Sequence, residues 1–199
     1  MFTLRRPKSA EIDEAIAAAR RLATDGPGLL SLTPGIPATS DHPGFKHDRS
    51  RSLLGHGETA FESAKRAFQR WAQFDLGWSR VANPDVAIAA GQIIAVEFET
   101  FALWTLNLSR IVEVVDTPGA FGFIYSTTGM HVERGEEQFL IEFDHAAGDV
   151  WYEIEALSRP RHFLARVGFP VARALQHRFV RESHRRMLTE VLAPESILS

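Results

Sequence analysis

Within seven residues the chain places His131, Glu133, Glu136 and Glu137, a concentration of imidazole and carboxylate groups suited to acid-base work or to holding a cation. The spacing His-x-Glu-x-x-Glu differs from the helical His-Glu-x-x-His of zinc hydrolases, and Gly135 argues against one shared helix. No metal site is assigned, and no cofactor is expected. The readings left for residues 129–137 are a solvated loop whose acids are exposed or pair with Arg134 and Arg159, a set of substrate contacts, or a structural clasp. Ser126, Thr127 and Thr128 precede the histidine, but no Gly-x-Ser-x-Gly elbow surrounds any serine, so a serine nucleophile has no support. Gly55-His56-Gly57 resembles an anion-cradling turn, yet neither a Walker pattern nor a full Gly-x-Gly-x-x-Gly is present, and it reads as a tight entry into a helix.

The elements that must position these groups show in the spacing of apolar residues. Ile12, Ile16, Ala19 and Leu22 fall on one helical face over residues 9–24, with Ser9 as N-cap and Gly26-Pro27 as stop. Residues 26–57 are rich in Gly, Pro, Ser, Thr and Asp and read as an extended connector, anchored by Leu29, Leu30, Leu32, Ile36, Phe45, Leu53 and Leu54. Phe61, Ala64, Ala67, Phe68, Trp71 and Phe74 then mark a strongly amphipathic helix over 58–74. Seven short β-rich runs follow between Val86 and Leu157: 86–90, 92–98, 101–106, 110–115, 121–127, 138–143 and 150–157. Turn signals at Ala90-Gly91, Asp116-Thr117-Pro118-Gly119 and His145 to Asp149 separate several of them, which predicts an antiparallel meander. The last helix, expected over about 162–190, carries Leu164, Val167, Val171, Leu175, Phe179, Met187 and Val191 on one stripe and is expected to kink or break at Pro170. Its many arginines predict a solvated face paired with strand acids such as Glu153 and Glu155, or a surface for an acidic partner or membrane.

Strands flanked by helices predict an α+β class, with a curved antiparallel sheet packed on a long C-terminal helix and an additional N-terminal helix. This arrangement is similar to the START-like helix-grip architecture. The composition, 45% hydrophobic and 24% charged, is that of a globular chain. No cysteine is present, which excludes disulfides, thiolate metal sites and cysteine nucleophiles. A net charge of -3 gives no general attraction to phosphate backbones, so no specific nucleic-acid partner is expected. No apolar run reaches the roughly 20 residues of a bilayer span and no secretion signal follows Arg5-Arg6, so a cytoplasmic chain with no transmembrane segment is expected.

Gly122-Phe123-x-Tyr125-x-Thr127, His131-x-Glu133-x-Gly135-Glu136-Glu137-x-Phe139 and Ser158-Arg159-Pro160 together resemble the DUF1990 (UPF0548) family. Pro43-Gly44-Phe45, Leu54-Gly55-His56-Gly57 and Phe61, Ala64 and Trp71 extend the likeness over roughly residues 29–185. Ser126, Gly129 and Met130 depart from the Gly, Pro and Gly that the family more usually shows. The resemblance implies a single domain over 1–199, with 1–28 as an N-terminal helical extension and 29–192 as core. It implies a START-like ligand-binding fold and offers no settled catalytic residues. The function expected first is binding of a small, partly apolar ligand between sheet and C-terminal helix, with Trp71, Tyr125, His131, Glu133 and Arg159 as contacts. The alternatives are an enzyme using His131 or Glu133 as acid or base on a small organic substrate, and a protein docking through its basic C-terminal helix.

Overall fold

The computed structural model describes residues 2–24, 28, 30, 32, 43–100, 102–129, 131, 133–160 and 169–193. In chain order these form β1 (Phe2–Thr3), α1 (Ser9–Ala19), β2 (Lys46–His56), α2 (Gly57–Gln69), a 3-10 turn (Ala72–Phe74), β3 (Ser79–Val81), β4 (Ile93–Thr100), β5 (Leu103–Thr117), β6 (Ala120–Thr127), β7 (Glu133–Asp144), β8 (Asp149–Pro160) and α3 (Phe169–Leu192). Every pairing is antiparallel, in the order β2-β8-β7-β6-β5-β4-β3, with β1 beside β5. The sheet curves around α2, the 3-10 turn and α3, which is the expected grip.

Several boundaries differ from expectation. Residues 86–90 form no strand, and residues 103–106 and 110–115, read as parts of two runs, belong to one long strand, β5. β7 begins at Glu133, so Glu133, Glu136 and Glu137 are strand residues instead of loop residues. The largest difference is β2, an eleven-residue strand within the segment read as connector. It is an edge strand, and its charges at Lys46, Asp48, Arg49 and Arg51 are the kind that guard an open edge. Its concave-facing side chains meet polar groups on α3, so the apolar alternation that marks other strands is missing: Asp48 is paired with Arg173, while Ser50 and Ser52 bond the two ring nitrogens of His184 at 2.9 and 2.6 Å. At the N-terminus Lys8, not Ser9, caps α1, and the Glu11 carboxylate accepts the Lys8 amide at 2.8 Å. α3 takes up at Phe169 with Pro170 in its first turn, where a missing amide costs nothing; the expected residues 162–168 lie outside the described residues.

The concave core is aromatic. Phe61, Ala64, Ala67 and Phe68 of α2 are all buried, as their spacing predicts. Trp71 ends the helix in a left-handed conformation (φ 61°) and turns its ring onto Phe123, centroids 5.5 Å apart, while its Nε1 donates to the Val86 carbonyl at 3.2 Å. Phe74 and Phe179 close over Phe139, at 5.1 and 6.3 Å. The convex face is covered as well. Ile12, Ala15 and Ala19 of α1 pack on Ile93, Ala95, Leu106 and Leu108, and Leu30 and Leu32 pack on Ile124, Leu140 and Leu157. Two contacts fasten these covers: the Arg110 Nη2 reaches the carbonyls of Ala19, Arg20 and Leu22 (3.3, 3.0 and 2.9 Å), and Glu136 accepts the amides of Gly28 and Leu30 (3.0 and 2.8 Å).

Candidate functional site

Register alone divides the concave face into an apolar and a polar end. Phe121, Phe123 and Tyr125 of β6 share that face with Ile141, Phe139 and Glu137 of β7, because alternate residues of a strand point the same way. One cross-strand row runs Tyr125, Glu137, Ala156, Asp48; the next contains Gly135, Ser158 and Lys46. Asn107 and Ser109 continue this end on β5, with Asn107 opposite Val96 of the concave core. α3 brings Arg173 and Gln176 over the same end, before its apolar residues Phe179 and Met187 reach the aromatic cluster. A cavity of about 250 Å³ opens there, lined by Phe45, Lys46, Glu133, Ser158, Arg173 and Gln176. A larger cleft of about 570 Å³ lies elsewhere, between the start of α1 and residues 82–86; its Asn83 is already committed to the backbone of Ile93 and Ala95 at 2.9 Å each.

The ionisable groups at the polar end are held away from their ordinary states. Desolvation pushes the Glu137 carboxyl up to about 7, the Tyr125 hydroxyl that donates to it draws it back, and the neighbouring charge of Glu133 raises it again. Desolvation also raises Glu133, against the hydrogen bonds of Ser158 and of Gln176, whose Nε2 lies 2.8 Å from both carboxylate oxygens. Tyr125 is raised by burial and then by Glu137, so it is a neutral donor throughout the physiological range. His131 is lowered to about 4 by desolvation, and its Nδ1 accepts the Glu133 amide at 3.1 Å. It is therefore a neutral imidazole that shapes the turn into β7.

Because Glu137 holds its proton more tightly in the folded chain than in the unfolded one, its contribution to stability is fully present below about pH 4.5 and is lost as pH rises through about 7. Urea unfolding at about pH 5 and about pH 8 should show wild type losing about 1–3 kcal/mol more than Glu137→Gln over that interval. Equal losses in the two proteins would place Glu137 in contact with water.

The five residues expected to line a ligand site do not converge. Tyr125 and Glu133 share the polar end, with His131 beside it. Trp71 sits in the aromatic core with its ring nitrogen already bonded. Arg159 alternates to the face opposite Ser158 and stacks on Phe45 at 4.7 Å. Sequence reasoning missed Glu137 as the partner of Tyr125, and also Ser158, Arg173, Gln176 and Asp48. The first of these was accessible: Glu133, Gly135 and Glu137 have the two-residue period of one strand face. Asp48 and Arg173 meet across 125 residues of chain, and no local pattern announces such a pair.

Gly135 explains the motif's shape. A Cβ there would lie 2.0 Å from the Leu157 carbonyl oxygen, at a φ of +156°, so only glycine lets β7 approach β8 between the two glutamates. Residues 33–186 match the model of "Domain of unknown function (DUF1990)". The chain belongs to the DUF1990 family. Among DUF1990 relatives, a UPF0548 protein of Arabidopsis thaliana is 33% identical over 159 residues, covering 77% of each chain. A UPF0548 protein of Deinococcus radiodurans is 31% identical over 204 residues, covering 94% of this chain and 97% of its own. In fold, this DUF1990 chain is similar to TTHA0849 of Thermus thermophilus (TM-score 0.50, 11% identity, 76% of this chain and 100% of that one). It is similar to the same degree to the ginseng major latex-like protein 151 of Panax ginseng (TM-score 0.50, 9% identity, again 76% and 100%). These neighbours establish the START-like helix-grip fold of the DUF1990 chain, and at such identities nothing about its chemistry. No helix among the described residues is long and apolar enough to cross a membrane.

Proposed function

We propose that this DUF1990 protein binds a small, partly apolar molecule at the polar end of the concave face, between the ends of β7 and β8 and the N-terminal half of α3. The observation that carries the reading is the segregation of the grip's interior. One end is filled by mutually packed aromatic rings, and the other keeps an open cavity bordered by Glu133, Ser158, Arg173 and Gln176. Groups with displaced pKa values beside a cavity are a common mark of a binding or active site. The polar part of the ligand meets Glu133 and Gln176.

Two variants test this. Glu133→Gln keeps the size of the side chain and its contact with Gln176, and His131→Ala removes a ring outside the main core; each should stay within about 1 kcal/mol of wild type in urea unfolding. Native mass spectrometry of gently purified protein should show a small co-purifying mass that Glu133→Gln loses. A mass retained by both variants would sink the assignment of the site.

A second reading has one observation in its favour. Glu137 is half-protonated near neutral pH and hydrogen-bonded to Tyr125, which suits a general acid or base acting on a small substrate. It moves the catalytic role from His131 and Glu133 to Glu137. The docking alternative is weakened by pairing along α3: Arg173 bonds Asp48, Arg178 bonds Glu182 at 2.8 Å, and Arg186 reaches Asp75 and Glu190 at 3.1 and 2.9 Å.

A further inference from the structure

Pairing along α3 is uneven around the helix. It withdraws Arg173 and Arg186, which Asp48, Asp75 and Glu190 answer on the flanks, and Arg178, which is held between Glu182 and the Trp78 ring. Arg181 and Arg185 stand exposed on the crest and form no hydrogen bond or ion pair among the described residues. Arg181, Arg185, Leu188 and Leu192 follow one another at four, three and four residues, the spacing that keeps side chains on one seam of a helix. Leu188 is 37% exposed and Leu192 67%, so the seam passes from two unanswered cations to two bare leucines. Ala174 and His177, also exposed, continue it toward the start of α3, and no acidic residue lies on it. Arg173 and Gln176 border the cavity instead, so the seam is a separate surface.

Its width and charge select the occupant. A bilayer is gripped by a broad apolar face fringed with cations, whereas two leucines in line make a strip one side chain wide. Two unpaired arginines on a chain of net charge -3 give little hold on a phosphate backbone. A second copy of α3 fails on charge. Laid parallel, each arginine meets its own equivalent; laid antiparallel, Arg181 and Arg185 meet each other or the leucines. A strip of this spacing fits the seam of a different helix.

We propose that the exposed seam of α3 docks an amphipathic helix of a partner protein, with carboxylates opposite Arg181 and Arg185 and apolar side chains opposite Leu188 and Leu192. The leucines supply the apolar contact, and the arginines fix register and direction, since a partner shifted or reversed sets its carboxylates against leucine and its apolar side chains against a guanidinium.

The test titrates the isotope-labelled full chain with two synthetic helical peptides of about four heptads and identical composition, read by amide NMR. One peptide carries glutamates along the first half of its seam and leucines along the second; the other carries them in the reverse order, so that a parallel and an antiparallel partner are both represented. One of the two orders should move the amides of Arg181, Arg185, Leu188 and Leu192. It should bind at least about tenfold more tightly than the same peptide with lysines in place of the glutamates, the difference expected of charge-assisted contacts. Arg181→Glu combined with Arg185→Glu should remove or invert that preference, and Leu188→Ser combined with Leu192→Ser should weaken binding at least about tenfold. All four positions are exposed, so the variants should keep the amide spectrum of the aromatic core. Binding of the lysine peptide as tightly as the glutamate one, or no shift at these amides with either order, would overturn the proposal. Phosphatidylcholine vesicles with about a third phosphatidylserine, and polyuridylate, are the rival occupants, and larger shifts at these amides with either than with both peptides would replace the partner helix by a membrane or an RNA. A dimer in sedimentation of the chain alone that Arg181→Glu combined with Arg185→Glu alters would assign the seam to a second copy.

Discussion

Replacing Trp71 with alanine should lower the unfolding free energy by about 3–5 kcal/mol, the cost of a large cavity left in a packed core. Trp71 is 2% exposed and lies edge-on to Phe123, which in turn stacks with Phe139 at 5.4 Å. Its neighbours come from three separate parts of the chain, so they cannot collapse together into the space: Phe74 follows in the 3-10 turn, Phe123 is fixed in β6, and Val86, between β3 and β4, receives the indole N–H. One part of the substitution works the other way. Trp71 holds a left-handed backbone, and alanine is no worse there, so the loss comes from the side chain alone. Trp71→Phe should recover most of it, falling short by the hydrogen bond to Val86. A change below about 1 kcal/mol for Trp71→Ala in urea unfolding would show that the rings do not form the core described.

Gly135→Ala should be comparably severe, and for a different reason. The added carbon would stand 2.0 Å from the Leu157 carbonyl oxygen and 2.8 Å from the Ser158 Cα, both backbone atoms of the paired strand, so relief requires β7 and β8 to part. The expected cost is about 3 kcal/mol or more, in the range reserved for gross steric conflict. Gly148→Ala provides the control: its φ is +75°, but a Cβ there meets nothing within 4 Å, so it should cost only the roughly 1 kcal/mol of a left-handed alanine. Hydrogen exchange should locate the Gly135→Ala damage in the amides of Glu136, Glu137 and Ser158, with the β2–β8 end near His56 less affected. Equal costs for the two alanines would mean that backbone torsion alone, and not the approach of β8, selects glycine at 135.

How much of this was legible depends on whether the information is local. The face of α2 is fully encoded in its spacing, and Phe61, Ala64, Ala67, Phe68 and Trp71 are buried where the period places them. The meander's hairpins at Thr117-Pro118-Gly119-Ala120 and around Gly148 are encoded by turn chemistry, and the strands meet there. β2 escaped because its concave partners are polar side chains of α3, which suppress the alternation that sequence reading relies on. Residues 133–137 escaped because Gly135 and four charges imitate a loop, although glycine is required there by strand contact. Arg173 and Gln176 stand on α3 among residues that read as a solvated basic face, and only the tertiary placement turns them inward.

The seating of α1 separates two boundaries that are easily taken for one. The match to the family model begins at residue 33, yet Ile12, Ala15 and Ala19 cover an oily stripe made by Ile93, Ala95, Leu106 and Leu108, and Arg110 spends its guanidinium on the carbonyls at the helix end. A fragment cut to the family limit would present that stripe to water as a sticky patch and leave Arg110 with its strongest contacts gone, conditions that favour self-association over recovery of a monomeric fold. Expression trials guided by homology alone would then report a poorly behaved domain, when what they had removed was its lining.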